Sequence, residues 1–164
     1  NGPLLQYQAW YLDDGLIIGE PCNFTSILEI FQHVGPKYGL HLNKSKWSFY
    51  WPHTSTHLTQ QLSQHEIPIK SQREGITYLG VPLGSDIFIV NQTVSKISKA
   101  IAKLDLLDRL YHPQIRYALV WHCLGFPKFA FLIRTLPPRL AGSIFVQYDH
   151  WGIQSLQNLL SLPL

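Results

Sequence analysis

The chain has 164 residues, of which 46% are hydrophobic and 14% charged, and its formal net charge is +3. This apolar content excludes an intrinsically disordered chain, and the length suits one domain of ordinary size or a piece of one. Methionine is absent, even at position 1, and the charged fraction is low. We therefore expect a segment of a longer protein whose other parts cover some of its surface. The mildly basic balance allows a polyanionic partner.

Two cysteines, Cys22 and Cys123, lie far apart in the sequence. They predict neither a disulfide framework nor a cysteine-rich zinc site, so we expect an intracellular protein, without a distinction between nucleus and cytoplasm. No apolar run reaches the roughly 18 residues needed to cross a bilayer, and no signal peptide begins the sequence. We therefore expect no membrane partner.

The first elements predicted are two strands, over residues 6–11 and 16–19, because both runs are rich in apolar and aromatic residues. Asp14 and Gly15 suit a tight connection between these strands. The sequence therefore predicts a β-hairpin with Asp13 and Asp14 at its tip.

A helix is predicted next, over residues 24–34, because apolar residues recur there at helical spacing and Gly35 with Pro36 suits its end. Residues 40–51 alternate in polarity and predict a strand or one arm of a hairpin, whereas the polar residues 52–65 predict a loop, with or without a short helix. Four aromatic residues in that strand are assigned to packing rather than to base stacking: Trp47, Phe49, Tyr50 and Trp51.

The second half of the chain is predicted to be mainly helical. Residues 75–83 predict a short hairpin, with the tight turn placed over residues 80–84 by their glycine and proline spacing. Further helices are predicted from Pro113 to a break near Gly125, over residues 129–133 and over residues 140–151. Between the hairpin and these helices, one long helix carries an apolar stripe of Val94, Ile97, Ile101 and Leu104 and a basic stripe of Lys96, Lys99 and Lys103.

The adjacent carboxylates of Asp13 and Asp14 have two interpretations. An Asp-Gly pair between apolar runs is a common hairpin turn, which requires no further function. Two neighbouring carboxylates repel each other, however, and a bound cation offsets that repulsion. The residues themselves leave turn chemistry and metal chemistry open.

Three motifs follow one another along the chain: YLDD at residues 11–14, GLHLNKSKW at 39–47 and YLGVPLG at 78–84. In this order they resemble the active-site motif, the following strand and the primer-grip hairpin of reverse transcriptases, most closely those of eukaryotic retroelements. The tail CLGFPKFAFLIRTLPP also resembles the region beyond the palm in such proteins. The resemblance implies an α+β fold, with the C-terminal part of a right-hand polymerase palm over residues 1–85 and a helical thumb-like region over residues 86–164.

This resemblance implies an RNA-directed DNA polymerase that acts on an RNA template, a DNA primer and deoxynucleoside triphosphates, with Mg²⁺ as cofactor and Mn²⁺ as the alternative metal. Asp13 would be the metal ligand and Asp14 its auxiliary, with Lys46 near the incoming triphosphate. The primer would lie near Tyr11, Leu12, Leu79 and Gly80. The basic stripe of Lys96, Lys99 and Lys103 would either follow the nucleic-acid backbone or be an ordinary solvated helix face.

One departure from the family concerns a further essential Asp, which reverse transcriptases carry on an earlier strand. None of the twelve residues before Asp13 is acidic. We therefore expect that an upstream fingers and palm segment of the parent protein completes the site, and that this chain alone is inactive. Asp149 is the one vague substitute, and it falls within a predicted helix.

Two other functions stay open. One is a degenerate, non-catalytic remnant of a retroelement polymerase that still binds nucleic acid. The other is a structural α+β module, for which the three motifs would be coincidence. A zinc site at His53, His57 and His65 is rejected, because no convincing fourth ligand accompanies these histidines.

Overall fold

The structure, a computed structural model, describes residues 5–53, 62, 67–107 and 109–160. The chain divides into two compact units, Asn1–Leu79 and Gly80–Leu164. The described strands precede Ser85, and the long helices follow it. The fold is therefore α+β, as predicted from the sequence.

The first unit begins with the predicted β-hairpin. Strand β1 (Leu5–Tyr11) pairs antiparallel with strand β2 (Asp14–Gly19), and the register places Tyr11 opposite Asp14. A register irregularity lies between Leu5 and Tyr7. The hairpin is thus confirmed, with a connection of only two residues.

The helix predicted after the hairpin is confirmed as α1 (Phe24–His33). Single 3-10 turns, Pro21–Asn23 and Gly35–Tyr38, come before and after it. Apolar residues at helical spacing give α1 one buried side, which contains Ile27 and Leu28.

The strand predicted over residues 40–51 is largely wrong. Only β3 (Phe49–Trp51) is a strand, and it pairs in parallel with β4 (Ile69–Ser71). Lys44–Lys46 instead forms a 3-10 turn, because the Asn43 side chain accepts a hydrogen bond from the backbone N–H of Ser45 at 3.2 Å. Such local bonds compete with strand pairing, and alternating polarity does not reveal them. Most of the predicted loop, including His57 and His65, lies outside the described residues.

Aromatic rings join the hairpin, α1 and the segment before β3. The ring of Phe31 lies 5.6 Å, centroid to centroid, from Trp10 and 5.6 Å from Trp47. The rings of Phe24 and Phe49 lie 4.6 Å apart, edge to face. These contacts agree with the prediction that Trp47 and Phe49 pack within the protein rather than stand free for bases.

Two short strands, β5 (Ile76–Tyr78) and β6 (Val81–Leu83), form a two-stranded sheet. Their connection is Leu79 and Gly80, whose φ angles of 47° and 83° are both positive. Positive φ at both central residues is the property of a tight type I′ hairpin turn. The predicted hairpin is confirmed, but its turn lies at residues 79–80 and not over residues 80–84.

The second unit is helical, as predicted. Its long helix is α2 (Asp86–Leu107), and α3 (Pro113–Leu119) continues into a π-helical turn, Val120–Leu124. Helices α4 (Phe126–Thr135) and α5 (Pro138–Leu160) follow. No helix among the described residues is both long enough and apolar enough to cross a membrane.

One contiguous hydrophobic core fills the second unit. Ile97 and Leu104 of the predicted apolar stripe are buried, but Val94 is exposed. Thr93 takes a buried position instead, because its hydroxyl donates to the carbonyl of Ile89 at 2.8 Å and so needs no water. The core is formed by Ile89, Ile97, Ala100, Leu104, Val120, Phe129, Leu132, Leu136, Ile144, Phe145 and Tyr148.

Candidate active site

The two-residue turn of the first hairpin is formed by Leu12 and Asp13, and Asp14 is already the first residue of β2. The prediction that Asp14 and Gly15 make the turn is therefore wrong. Leu12 has a φ of 55°, which is unusual for a residue with a side chain. A hairpin turn with positive φ at its first central residue normally carries glycine there. The YLDD motif thus occupies a strained turn.

Gly15 serves the packing of Trp10 instead of the turn. The two residues are opposite each other across the hairpin. A Cβ atom on Gly15 would lie only 2.3 Å from Cζ3 of the Trp10 ring. Because glycine leaves this space free, the indole lies across β2 while it also contacts Phe31. The hairpin is thereby attached to α1 next to its tip.

Both carboxylates at the tip are exposed, as are Tyr11 and Leu12. Within the part of the chain that the structure describes, no group of three or more His, Cys, Asp or Glu residues could hold a metal ion. Mg²⁺ is often bound through one or two carboxylates together with substrate phosphates. Asp13 and Asp14 therefore suit one such cation, but the described residues do not supply the additional carboxylates that a two-metal site uses.

Lys46 ends the exposed 3-10 turn rather than lying on a strand. A depression of about 320 Å³ lies in the same unit, and neither Lys46 nor the two Asp residues line it. Its lining includes Phe31, His41 and Lys44. The geometry therefore does not assign Lys46 to a pocket.

The basic stripe on α2 is not uniform. The Lys96 ammonium donates a hydrogen bond to the carbonyl of Gly80, and partial burial lowers the pKa of Lys96. Lys99 and Lys103 are exposed, one helical turn apart. Lys96 thus holds the turn of the second hairpin, while the other two lysines are available to solvent. The sequence pattern did not reveal this division, because it shows spacing within a helix and not a hydrogen bond to a residue 16 positions away.

Other acidic residues of the chain have surroundings of their own. Glu20 follows the far end of the first hairpin, where its side chain accepts a hydrogen bond from Gln6 at 3.2 Å. Asp86 forms an exposed ion pair with Arg139 at 2.6 Å. Asp149 is exposed on α5, so the prediction that it falls within a helix is confirmed.

The chain was compared with protein families, curated proteins and solved structures. No protein-family model, no curated protein and no solved structure matches the chain. Any function therefore depends on the sequence motifs and on the geometry of the described residues.

Proposed function

We propose that this chain is the catalytic-hairpin half of a reverse transcriptase palm with its thumb-like region, from a protein that copies RNA into DNA. The observation that carries the proposal is the tip of the first hairpin, where YLDD occupies the turn, both carboxylates are exposed, and Leu12 has a φ of 55°. A turn with no further function favours glycine at the position of Leu12. Strained backbone of this kind is concentrated at functional sites.

The roles of the residues follow from this proposal. Asp13 and Asp14 would hold Mg²⁺ or Mn²⁺, which when bound stabilises the entering and leaving oxygens of an in-line displacement. Tyr11 and Leu12 would lie beside the primer end, and Leu79 and Gly80 would contact the primer backbone. In addition, Lys46 would approach the triphosphate, while Lys96 holds the Gly80 carbonyl and Lys99 and Lys103 contact phosphates.

A further carboxylate would come from the upstream segment of the parent protein. Among the described strands, β1 and β2 pair only with each other, so each has a free edge of backbone N–H and C=O groups. A free edge is able to pair with another strand. An upstream strand carrying Asp could therefore join the hairpin and complete the site.

The second candidate is a non-catalytic remnant that keeps only nucleic-acid binding. The lack of a third metal-ligating residue near the tip, within the described part of the chain, favours it. The 3-10 turn at Lys44–Lys46 favours it as well, since the resemblance to reverse transcriptases implies a strand there.

Primer extension on an RNA template, with Mg²⁺ or Mn²⁺, tests the proposal. We expect no extension by the 164-residue chain and template-dependent extension by the longer parent protein. Asp13→Asn in the parent should abolish extension, because it removes a metal-ligating oxygen charge. Glu20→Gln, at the far end of the same hairpin, is the matched control and should retain it.

Two results would contradict the catalytic proposal. If the parent protein with Asp13→Asn still extends the primer, the hairpin tip has no role in the reaction. A parent that binds primer and template but never extends them would leave the non-catalytic remnant as the function.

A further inference from the structure

The second unit contains a long segment without negative charge. Residues 109–148 include no Asp or Glu, although the chain has 10 acidic residues in all. Four cations of this segment are exposed, Arg109, Lys128, Arg134 and Arg139, and the last of them forms an ion pair with Asp86. The charge of the segment therefore suits a polyanion.

An exposed pair of stacked rings lies within the same segment. The Tyr117 ring, on α3, and the Trp121 ring, in the π-helical turn, are 6.3 Å apart at an interplanar angle of 11°. Tyr117 is 45% exposed and Trp121 is 57% exposed. By contrast, the rings of Phe129 and Tyr148 in the same unit meet edge to face at 4.6 Å, and both are buried. The exposed pair thus contributes little to the core.

The face that carries this pair follows helical spacing. Gln114 and Ala118 are exposed, and with Tyr117 and Trp121 they fall at three- and four-residue steps along one side. We call these four residues the Tyr117–Trp121 face. Its two aromatic rings are exposed to solvent, and the other two residues of the face, Gln114 and Ala118, carry no charge.

The backbone beneath Trp121 is held in an unusual conformation. The π-helical turn begins at Val120, which is buried in the core, and ends before Gly125. A Cβ atom on Gly125 would lie 2.9 Å from the Val120 carbonyl oxygen, so glycine is needed for this close approach. Short π-helical turns are frequent at functional sites. Packing of Val120 in the core therefore fixes the backbone next to Trp121, while the Trp121 ring remains exposed.

We propose that the Tyr117–Trp121 face binds single-stranded nucleic acid, with bases stacked on the two rings and phosphates bound by exposed cations of residues 109–148. Flat, sequence-tolerant stacking on aromatic rings combined with positive charge is how such strands are bound. The absence of acidic residues over 109–148 favours a polyanion over a protein partner, whose surface carries both charges.

This inference is separate from the polymerase proposal. Stacking needs neither Asp13 nor Asp14. Primer extension by the parent protein with Asp13→Asn therefore tests the polymerase proposal, whereas the Kd for a single strand in Trp121→Ala tests this one. Failure of one proposal is thereby distinguished from failure of the other.

The binding experiment uses the full 164-residue chain and a fluorescent oligothymidylate of about 20 nucleotides, followed by anisotropy. Trp121→Ala should raise Kd about 5- to 160-fold, the effect of losing one stacked base. Tyr117→Ala should also raise the Kd. Trp121→Phe keeps an aromatic ring at this position and should retain most of the affinity. Tyr111→Ala is the matched control, since Tyr111 is 98% exposed in the same segment and has no ring partner among the described residues. Its Kd should stay within about twofold of the unchanged chain.

A second probe, an abasic strand of the same length, separates stacking from charge. Trp121→Ala should leave the Kd of this probe unchanged, whereas Lys128→Gln with Arg134→Gln should weaken the binding of both probes. The charge change should also lower the salt slope by about 0.7 for each phosphate that the variant no longer neutralises.

Three results would overturn the proposal. The first is an unchanged Kd for oligothymidylate in Trp121→Ala, with circular dichroism showing a folded chain. The second is an equal loss of affinity for the abasic probe. The third is binding to phosphatidylserine vesicles that depends on Trp121 while oligothymidylate binding does not, which would assign the face to a membrane surface.

Discussion

The two units differ in what holds them together. Unit Gly80–Leu164 has a contiguous core of eleven buried residues, which come from its helices, the π-helical turn and Leu136 between α4 and α5. The described part of unit Asn1–Leu79 buries only Ile27, Leu28, Leu62 and Ile67 among its large apolar residues, and connects its elements through half-exposed aromatic rings. The candidate active site belongs to unit Asn1–Leu79, the unit with the smaller set of buried residues. A site can therefore be exposed and strained where the packing around it is sparse.

The largest expected effect is in the helical core. Leu104 is 1% exposed, and Leu104→Ala should lower the free energy of unfolding by about 2–5 kcal/mol, because it leaves a cavity among packed helices. Leu106→Ala in the same helix is the control and should change it by less than about 0.5 kcal/mol. Urea denaturation measures both.

The same experiment in the first unit sharpens the comparison. Leu28 is also 1% exposed, but it belongs to a smaller buried set, which can collapse more easily around a cavity. Leu28→Ala should therefore cost less than Leu104→Ala. An equal or larger cost would contradict the view that the first unit is sparsely packed.

The second effect concerns the anchoring of the hairpin. Gly15→Ala should lower the free energy of unfolding by about 1–3 kcal/mol, because the new methyl group displaces the Trp10 ring and its contact with Phe31. Near-ultraviolet circular dichroism should change with it. Gly142→Ala, in α5 where an added Cβ meets nothing within 4 Å, is the control and should stabilise the chain by about 0.5–1 kcal/mol. Equal effects at the two glycines would remove the steric role of Gly15.

The third effect tests a polar atom inside the helical core. The Tyr148 hydroxyl is buried and has no hydrogen-bond partner among the described residues. Tyr148→Phe should therefore raise the free energy of unfolding by about 1 kcal/mol at neutral pH. A loss of stability there would indicate that the hydroxyl is satisfied.

The pH dependence of this residue has a definite sign. Burial, and then the charge of Asp149, raises the pKa of Tyr148. Its contribution to stability is complete below the unfolded-state pKa of about 10 and is lost as the pH rises through the folded-state value. Tyr148→Phe should remove this part of the alkaline destabilisation, as urea denaturation at several alkaline pH values would show.

The smallest expected effect is at the hairpin tip. Leu12 is 87% exposed with a φ of 55°, so Leu12→Gly loses little burial and relieves backbone strain. The net gain should be about 0.5–1 kcal/mol, since the flexibility of glycine in the unfolded chain offsets part of the relief. Leu40→Gly, at an exposed leucine without positive φ, should not stabilise the chain. Thermal unfolding of both variants measures the difference.

Elements with a strong local signal could be predicted from the sequence. The first hairpin, α1, and the helices beginning near Asp86 and Pro113 follow from apolar spacing, glycine and proline. The segment before β3 could not be predicted, because two local hydrogen bonds from Ser45 to the Asn43 side chain favour a 3-10 turn there, and alternating polarity does not reveal them. Local rules also misplaced the turn of the first hairpin, since they assign Gly15 to a turn when its space is needed by the Trp10 ring.

The candidate site was predictable only in part, for a related reason. Adjacent carboxylates and their place at a hairpin tip can be seen in YLDD, because both depend on local pattern. The strain at Leu12 and the bond from Lys96 to Gly80 depend on backbone geometry and on residues distant in sequence. Neither feature can be predicted from residue spacing or composition.

Whether the tip of the first hairpin is metal chemistry or only a turn can be measured directly by titrating the isotopically labelled chain with Mn²⁺ and following paramagnetic broadening of its amide signals. We predict that the signals of Leu12, Asp13 and Asp14 broaden before the others, with weak affinity because only two carboxylates contribute. Asp13→Asn with Asp14→Asn should abolish this broadening. Unchanged tip signals while other regions broaden would contradict the account and leave YLDD as a turn.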